Sequence, residues 1–172
     1  VRKEHPLVSF NIYSATADDI KDRLENGILD IGLLAEPVEI GSYDFIRMPR
    51  QDVWGVLVRS DSALASLEHV TPRDLLGVPL ILARRRQVKD EIASWFGEYY
   101  EHVEVAGTFN LILNAANMVL HGVGVAMGFD LADISDELRF IPLYPELKTG
   151  TVLVWKKNQA NSPACLLYTS PS

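Results

Sequence analysis

The stretch Leu24-Glu25-Asn26-Gly27-Ile28-Leu29-Asp30-Ile31-Gly32-Leu33-Leu34 decides how the chain is read. A polar-faced helix stops at Gly27, because glycine takes the left-handed conformation that closes a helix without a Cβ clash. Residues 28–34 are then an apolar run interrupted by Asp30 and Gly32, short enough for a strand buried on both faces, and such strands belong to parallel sheets. Upstream, Val8-Ser9-Phe10-Asn11-Ile12-Tyr13 alternates apolar and polar residues and reads as another strand. Strand, helix and strand in that order predict a βαβ unit.

Working outward, the spacing predicts a helix over 18–26 with Thr16 as its N-cap and Asp18 and Asp19 in the first turn, where the helix dipole favours negative charge. Glu36-Pro37 ends the buried strand. Residues 43–48 and 53–58 read as further strands, and Ser60-Asp61-Ser62 closes the second. Thr71-Pro72-Arg73-Asp74 has a capping threonine, a proline at the first helical position and a carboxylate three residues after the cap, so a short helix starts there and stops at Gly77. Val78-Pro79-Leu80-Ile81-Leu82-Ala83 is a strand, followed abruptly by Arg84-Arg85-Arg86. A helix over 88–100 and a strand over 103–106 come next. Thr108 then caps a helix whose apolar residues Leu111, Ile112, Ala115, Ala116 and Val119 recur at helical spacing until Gly122. Strands over 123–127, 138–143 and 151–157 complete the pattern, with a short helix over 130–135.

The chain has 172 residues, enough for one ordinary domain or two small lobes, and 48% of them are apolar, enough for a real core. A formal net charge of -7 argues against a chain that by itself wraps nucleic acid, since that affinity comes mainly from lysine and arginine neutralising phosphates. No apolar run approaches the roughly 20 residues needed to span a bilayer, and the first residues do not read as a signal peptide. A cytoplasmic location, with no membrane partner, is the expectation. Cys165-Leu166-Leu167-Tyr168-Thr169-Ser170-Pro171-Ser172 reads as the translation of a transposase adapter from a sequencing library, with a natural polar tail as the alternative. On the adapter reading the single cysteine is not native and carries no redox or metal message.

Two blocks, His5-Pro6-Leu7-Val8-Ser9-Phe10 and Glu25-Asn26-Gly27-Ile28-Leu29-Asp30-Ile31, closely resemble the effector-binding domain of LysR-type transcriptional regulators. Three later ones, Thr71 through Ile81, His121-Gly122-Val123-Gly124-Val125-Ala126 and Thr151-Val152-Leu153-Val154-Trp155-Lys156-Lys157, fall in the family's order and at about its spacing. The resemblance implies an α/β fold of two Rossmann-like lobes joined by two crossover strands, type 2 periplasmic-binding-protein-like. Residues 1–80 with 148–164 would form the first lobe and 81–147 the second, with 78–83 as the first crossing and 151–157 as the return. It also implies a helix-turn-helix module upstream that alone contacts DNA, a homodimer or tetramer when full length, and a small, often carboxylate, effector in a cleft between the lobes. By the same resemblance, strand 8–13 and helix 18–26 would face the partner subunit. A solute-binding protein of a transporter shares this fold and is the alternative function.

Strand ends that meet helix N-termini are the usual ligand corners of such sheets. Two stand out, Ser14-Ala15-Thr16 and Thr108-Phe109-Asn110, although both threonines have a second reading as plain helix caps. The arginine cluster is either a solvated loop or, as the resemblance suggests, a source of one cleft-facing guanidinium, Arg84, for a bidentate carboxylate pair. Gly128-Phe129 ends a strand on the cleft side of the family pattern, so Phe129 is either a pocket wall or a core aromatic. Trp54, Trp95 and Trp155 read as packing residues. His5, His69, His102 and His121 are scattered singly, without metal-ligand spacing, and no serine has an evident base. Neither a catalytic residue, a metal nor a cofactor is expected.

Overall fold

Thr16 opens the first helix, α1 (Ala17–Glu25), its Oγ1 accepting from the Asp19 N–H at 3.4 Å, and Asp18 and Asp19 occupy the first turn. Gly27, at φ +67°, closes it: the Ile28 N–H donates to the Arg23 carbonyl at 2.9 Å and the Gly27 N–H to the Leu24 carbonyl at 3.1 Å. In this computed structural model, which describes residues 3, 5–131 and 135–157, the remaining elements are β1 (Gly32–Ala35), β2 (Tyr43–Arg47), β3 (Asp52–Arg59), β4 (Leu80–Ala83), α2 (Arg86–Phe96), β5 (Val105–Phe109), α3 (Ile112–Leu120), β6 (Val125–Phe129), β7 (Leu138–Pro142), β8 (Lys148–Thr149) and β9 (Thr151–Lys156). Short 3-10 segments cover Ala63–Ser66, Pro72–Leu75 and Gly97–His102. The helix expected over 130–135 falls on residues 132–134, outside the described residues, as does the 165–172 segment.

The chain divides into two compact units, one holding the described residues up to Pro49 and from Thr151 on, the other Arg50–Gly150. In the first, a three-stranded sheet of order β1-β9-β2 has β9 antiparallel to both neighbours. α1 covers one face, burying Ile20 and Leu24 against Leu34, Tyr43, Val152 and Val154, and full burial of one such leucine contributes about 1.5–3 kcal/mol. Burial along β1 alternates accordingly: Leu34 is buried while Leu33 is 56% exposed.

Two expectations for this unit are corrected. Residues 8–13 form no strand and therefore no βαβ unit. Alternation decides which face a strand would bury, but a strand exists only against a hydrogen-bonding neighbour, and β1 and β2 both pair with β9. The run 28–34 contributes only three of the four residues of β1, antiparallel and at the sheet edge rather than parallel and buried on both faces.

In the second unit the sheet order is β5-β4-β6-β3-β7, with β8 attached to β3. β4 lies parallel to β5 and β6, whereas β3 is antiparallel to β6 and β7. Alternate residues feed two cores. Val56, Val58, Leu80, Leu82 and Met127 pack with Ile92 and Phe96 of α2, while Leu57, Ile81, Phe109 and Ala126 pack with Ala115, Ala116 and Val119 of α3. The Thr71 start is closed as expected, the Asp74 carboxylate accepting from the Thr71 N–H at 2.8 Å and from its hydroxyl at 2.6 Å.

The division falls at 49/50 and 150/151 rather than at 80/81 and 147/148. β3 is the reason: its ladders to β6 and β7 tie residues 50–80 to the second unit, and β4 sits between β5 and β6 instead of crossing. Both passages between units are short and flanked by pairing. Arg47 pairs with Val152 and the Met48 N–H donates to the Thr151 carbonyl at 2.8 Å; beyond the passage Asp52 pairs with Thr149 and Val53 with Lys148. β9 pairs with β1 and β2 in the first unit.

Candidate functional site

Because β4, β5 and β6 are parallel, they end together at Ala83, Phe109 and Phe129, and the chain turns there into α2 and α3. The Arg84 N–H donates to the Phe109 carbonyl at 2.8 Å, which fixes the exit of β4 against that of β5. Arg85 is the N-cap residue of α2 and Leu111 that of α3; neither helix has a side-chain cap or an acidic residue in its first turn. Leading N–H groups and positive dipole ends of two helices thus lie at one end of the sheet, together with Arg84, Arg85 and Arg86. Asp130, next to Phe129, places one carboxylate at the same end.

Thr108 is not a helix cap. The β5 ladder with β4 runs on to Ala83 opposite Phe109, so Thr108 lies within the strand, paired with Leu82, and α3 begins only at Ile112. Asn110 takes up the turn instead, its Oδ1 accepting from the Leu111 N–H at 2.9 Å and from the Asn114 amide at 3.3 Å. The exposed Thr108 side chain alternates with the buried Phe109, so the two lie on opposite faces of the sheet. Thr108 shares the Leu82 face, against whose core Phe129 packs, whereas Phe109 is buried among Ala115, Ala116 and Val119. Phe109 is therefore a core residue. Arg84 is exposed.

Phe129 is half-buried and meets Trp54 edge on, with ring centroids 4.7 Å apart. Gly128 lets the first residue of α3 approach: a Cβ there would stand 2.5 Å from Ile112 Cδ1. Two residues at this end were read from sequence only as packing or not at all. Trp54 donates its Nε1–H to Thr149 Oγ1 at 2.7 Å across 95 positions, a pairing with no local signal.

The first unit contributes a different corner. Ser14 is exposed, Ala15 and Thr16 are half-buried, and the start of α1 already carries Asp18 and Asp19. Asp19 accepts from the Tyr13 hydroxyl at 2.9 Å and from Arg23 Nε at 3.4 Å, and the Arg23 guanidinium lies 4.2 Å from the Tyr13 ring centroid. Two carboxylates at a helix start complement its dipole and oppose a second anion, so the corner of the second unit is electrostatically the better anion site. Among the described residues no group of three or more His, Cys, Asp or Glu is arranged to hold a metal, and no helix is long and apolar enough to cross a membrane.

The chain is 26% identical over 168 residues to the HTH-type transcriptional regulator YybE of Bacillus subtilis (strain 168), covering 94% of this chain and 56% of that protein. It spans about half the length of the curated relatives it matches. Its structure is similar to HinK, a LysR family transcriptional regulator from Pseudomonas aeruginosa, with a TM-score of 0.81 at 19% identity over 97% of this chain and 60% of that one. It is also similar to the effector binding domain of QuiR in complex with shikimate, with a TM-score of 0.79 at 16% identity over 94% and 78%. At those identities the likeness shows the fold, the type 2 periplasmic-binding-protein-like α/β architecture. The family profile described as the LysR substrate binding domain matches residues 1–167, and the chain belongs to that family of transcriptional-regulator domains.

Proposed function

We propose that this domain senses a small anionic metabolite, held at the C-terminal ends of β4, β5 and β6. The observation that carries this is the meeting of two helix starts without side-chain caps or first-turn carboxylates with an arginine cluster, since both features favour a negative charge. Backbone N–H groups at the start of α3 take the charged end, Arg84 adds a charge-assisted pair, Thr108 and Asn110 supply hydrogen bonds, and Phe129 with Gly128 borders the apolar part. Phe109 acts from beneath as packing. Ser14, Ala15 and Thr16 are hydrogen-bonding candidates of the first unit's own corner, separate from this site. QuiR, whose domain was solved with shikimate, is a similar fold with a small ligand.

The activity proposed for the whole protein is transcription regulation in the cytoplasm, with DNA contacted through a separate module and the subunits assembled as a homodimer or tetramer. The names of its longer relatives support this over a transporter's solute-binding protein. Catalysis is not part of the proposal, because among the described residues no nucleophile, base or carboxylate pair is assembled at the strand ends. Titration calorimetry of the domain with a panel of small carboxylates tests the site. Losing a hydrogen bond to a charged ligand group costs about 1.5–3 kcal/mol, so Thr108→Ala and Arg84→Gln should each weaken binding roughly ten- to a hundredfold. A carboxylate that binds with its affinity changed less than about twofold by both substitutions places the site elsewhere.

A further inference from the structure

Resting on the reading of Phe129 as a wall of that site, we propose that Trp54 is a positioning residue that couples the wall to the point where the chain leaves the second unit, at Gly150. Trp54 stands opposite Phe129 in the β3–β6 ladder, and the two rings meet at 61°. Its indole N–H donates to the hydroxyl of Thr149, the last residue of β8 before Gly150. Both partners are shut away from solvent, Trp54 at 3% exposure and Thr149 at 4%. The Trp54 backbone is also held, its N–H donating to the Leu147 carbonyl at 2.9 Å and its carbonyl accepting from the Leu143 N–H at 3.0 Å.

One rigid bicyclic side chain therefore touches the wall with its ring and the passage with its single donor. A buried indole N–H left without an acceptor costs more than the net worth of its bond, so Trp54 cannot follow a displaced Phe129 without carrying Thr149 along. Close-packed interiors respond to such a push by exchanging one arrangement for another rather than by gradual deformation. Occupancy at the strand ends would in this way reach residues 149–151, where the second unit hands the chain back to the first.

The experiment needs no ligand. Amide exchange at Thr149, Gly150 and Thr151 is measured by NMR in the native domain, in Phe129→Leu, and in Phe129→Leu combined with Trp54→Phe or with Thr149→Val. Phe129→Leu should change those rates by about threefold or more in the native background and by less than about 1.5-fold in either combination, each rate compared with its own background. Thr149→Val alone should speed exchange of the Trp54 indole proton about five- to tenfold, the scale of one hydrogen bond. Ile112→Val, on the other face of the sheet, should leave residues 149–151 unchanged. Equal responses to Phe129→Leu in all backgrounds, or none in the native one, overturn the coupling, and two independent backgrounds keep the result decisive if one variant does not fold. Because no effector enters, this outcome stands apart from that of the binding experiment.

Discussion

Replacing Gly128 with alanine puts one methyl group where the structure has no room for it. The new Cβ would lie 2.5 Å from Ile112 Cδ1 and 3.4 Å from Ile112 Cγ1, so the start of α3 must repack. Overpacking of this kind costs about 1–3 kcal/mol, while the loss of glycine freedom in the unfolded chain returns about 0.4–1 kcal/mol, leaving a net destabilisation of about 0–2.6 kcal/mol. Ile112→Val alone removes Cδ1 and should cost about 0.5–1.5 kcal/mol. Together the two substitutions remove a methyl group and add one at the same place, so the double variant should lie within about 1 kcal/mol of the native protein. Urea unfolding of the four proteins measures this as midpoint shifts at constant slope. Costs that add to within about 0.5 kcal/mol would show that Ile112 and Gly128 do not share the space, and the account of how α3 is seated on β6 would be wrong.

The remaining predictions concern pH. The Asp74 carboxyl is held below its ordinary range, first by the hydrogen bond from the Thr71 side chain and then by the Thr71 N–H. Its contribution to stability is therefore complete above about pH 4 and is lost as pH falls through the lower folded value. Asp74→Asn should flatten the acid limb of the Tm profile, and an unchanged limb refutes this. Glu91 has the opposite sign, because burial pushes its carboxyl up and its Oε2 has no hydrogen-bond partner among the described residues. Stability is therefore lost as pH rises past the ordinary glutamate range, so Glu91→Gln should raise Tm more at about pH 7 than at about pH 4, and equal shifts at both refute it.

What the sequence made legible was local. Thr16 and Gly27 define α1 by the chemistry of its own ends, and the apolar spacing from Ile112 to Val119 identifies the buried face of α3. Pairing between distant segments was not legible. Residues 8–13 and 53–58 carry similar strand patterns, yet only the second finds partners, in β6 and β7, and that difference moved the boundary between units by some thirty residues. The candidate site divides in the same way. The strand-end rule and the family resemblance brought Arg84, Asn110 and Phe129 to one end of one sheet. Thr108 has the local pattern of a cap, and nothing near it shows that β4 extends the β5 ladder to Phe109. The Trp54–Thr149 bond joins positions 95 residues apart and is visible only in three dimensions.

The middle strand of the first unit's sheet comes from the far side of the second unit. Among the described residues β1 and β2 each pair with β9 and not with each other, so β9 (Thr151–Lys156) is what joins them into one sheet. On the ribosome, at about 5–20 residues per second, roughly 5–20 s pass between synthesis of Arg47 and Thr151. During that interval Arg50–Gly150 is synthesised as one contiguous piece, while β1 and β2 lack the strand that pairs with both of them. Such exposed strand edges are the surfaces that chaperones cover and that aggregation uses. The second unit is thus contiguous in the chain, whereas the described sheet of the first unit closes only across it, when β9 is delivered between β1 and β2.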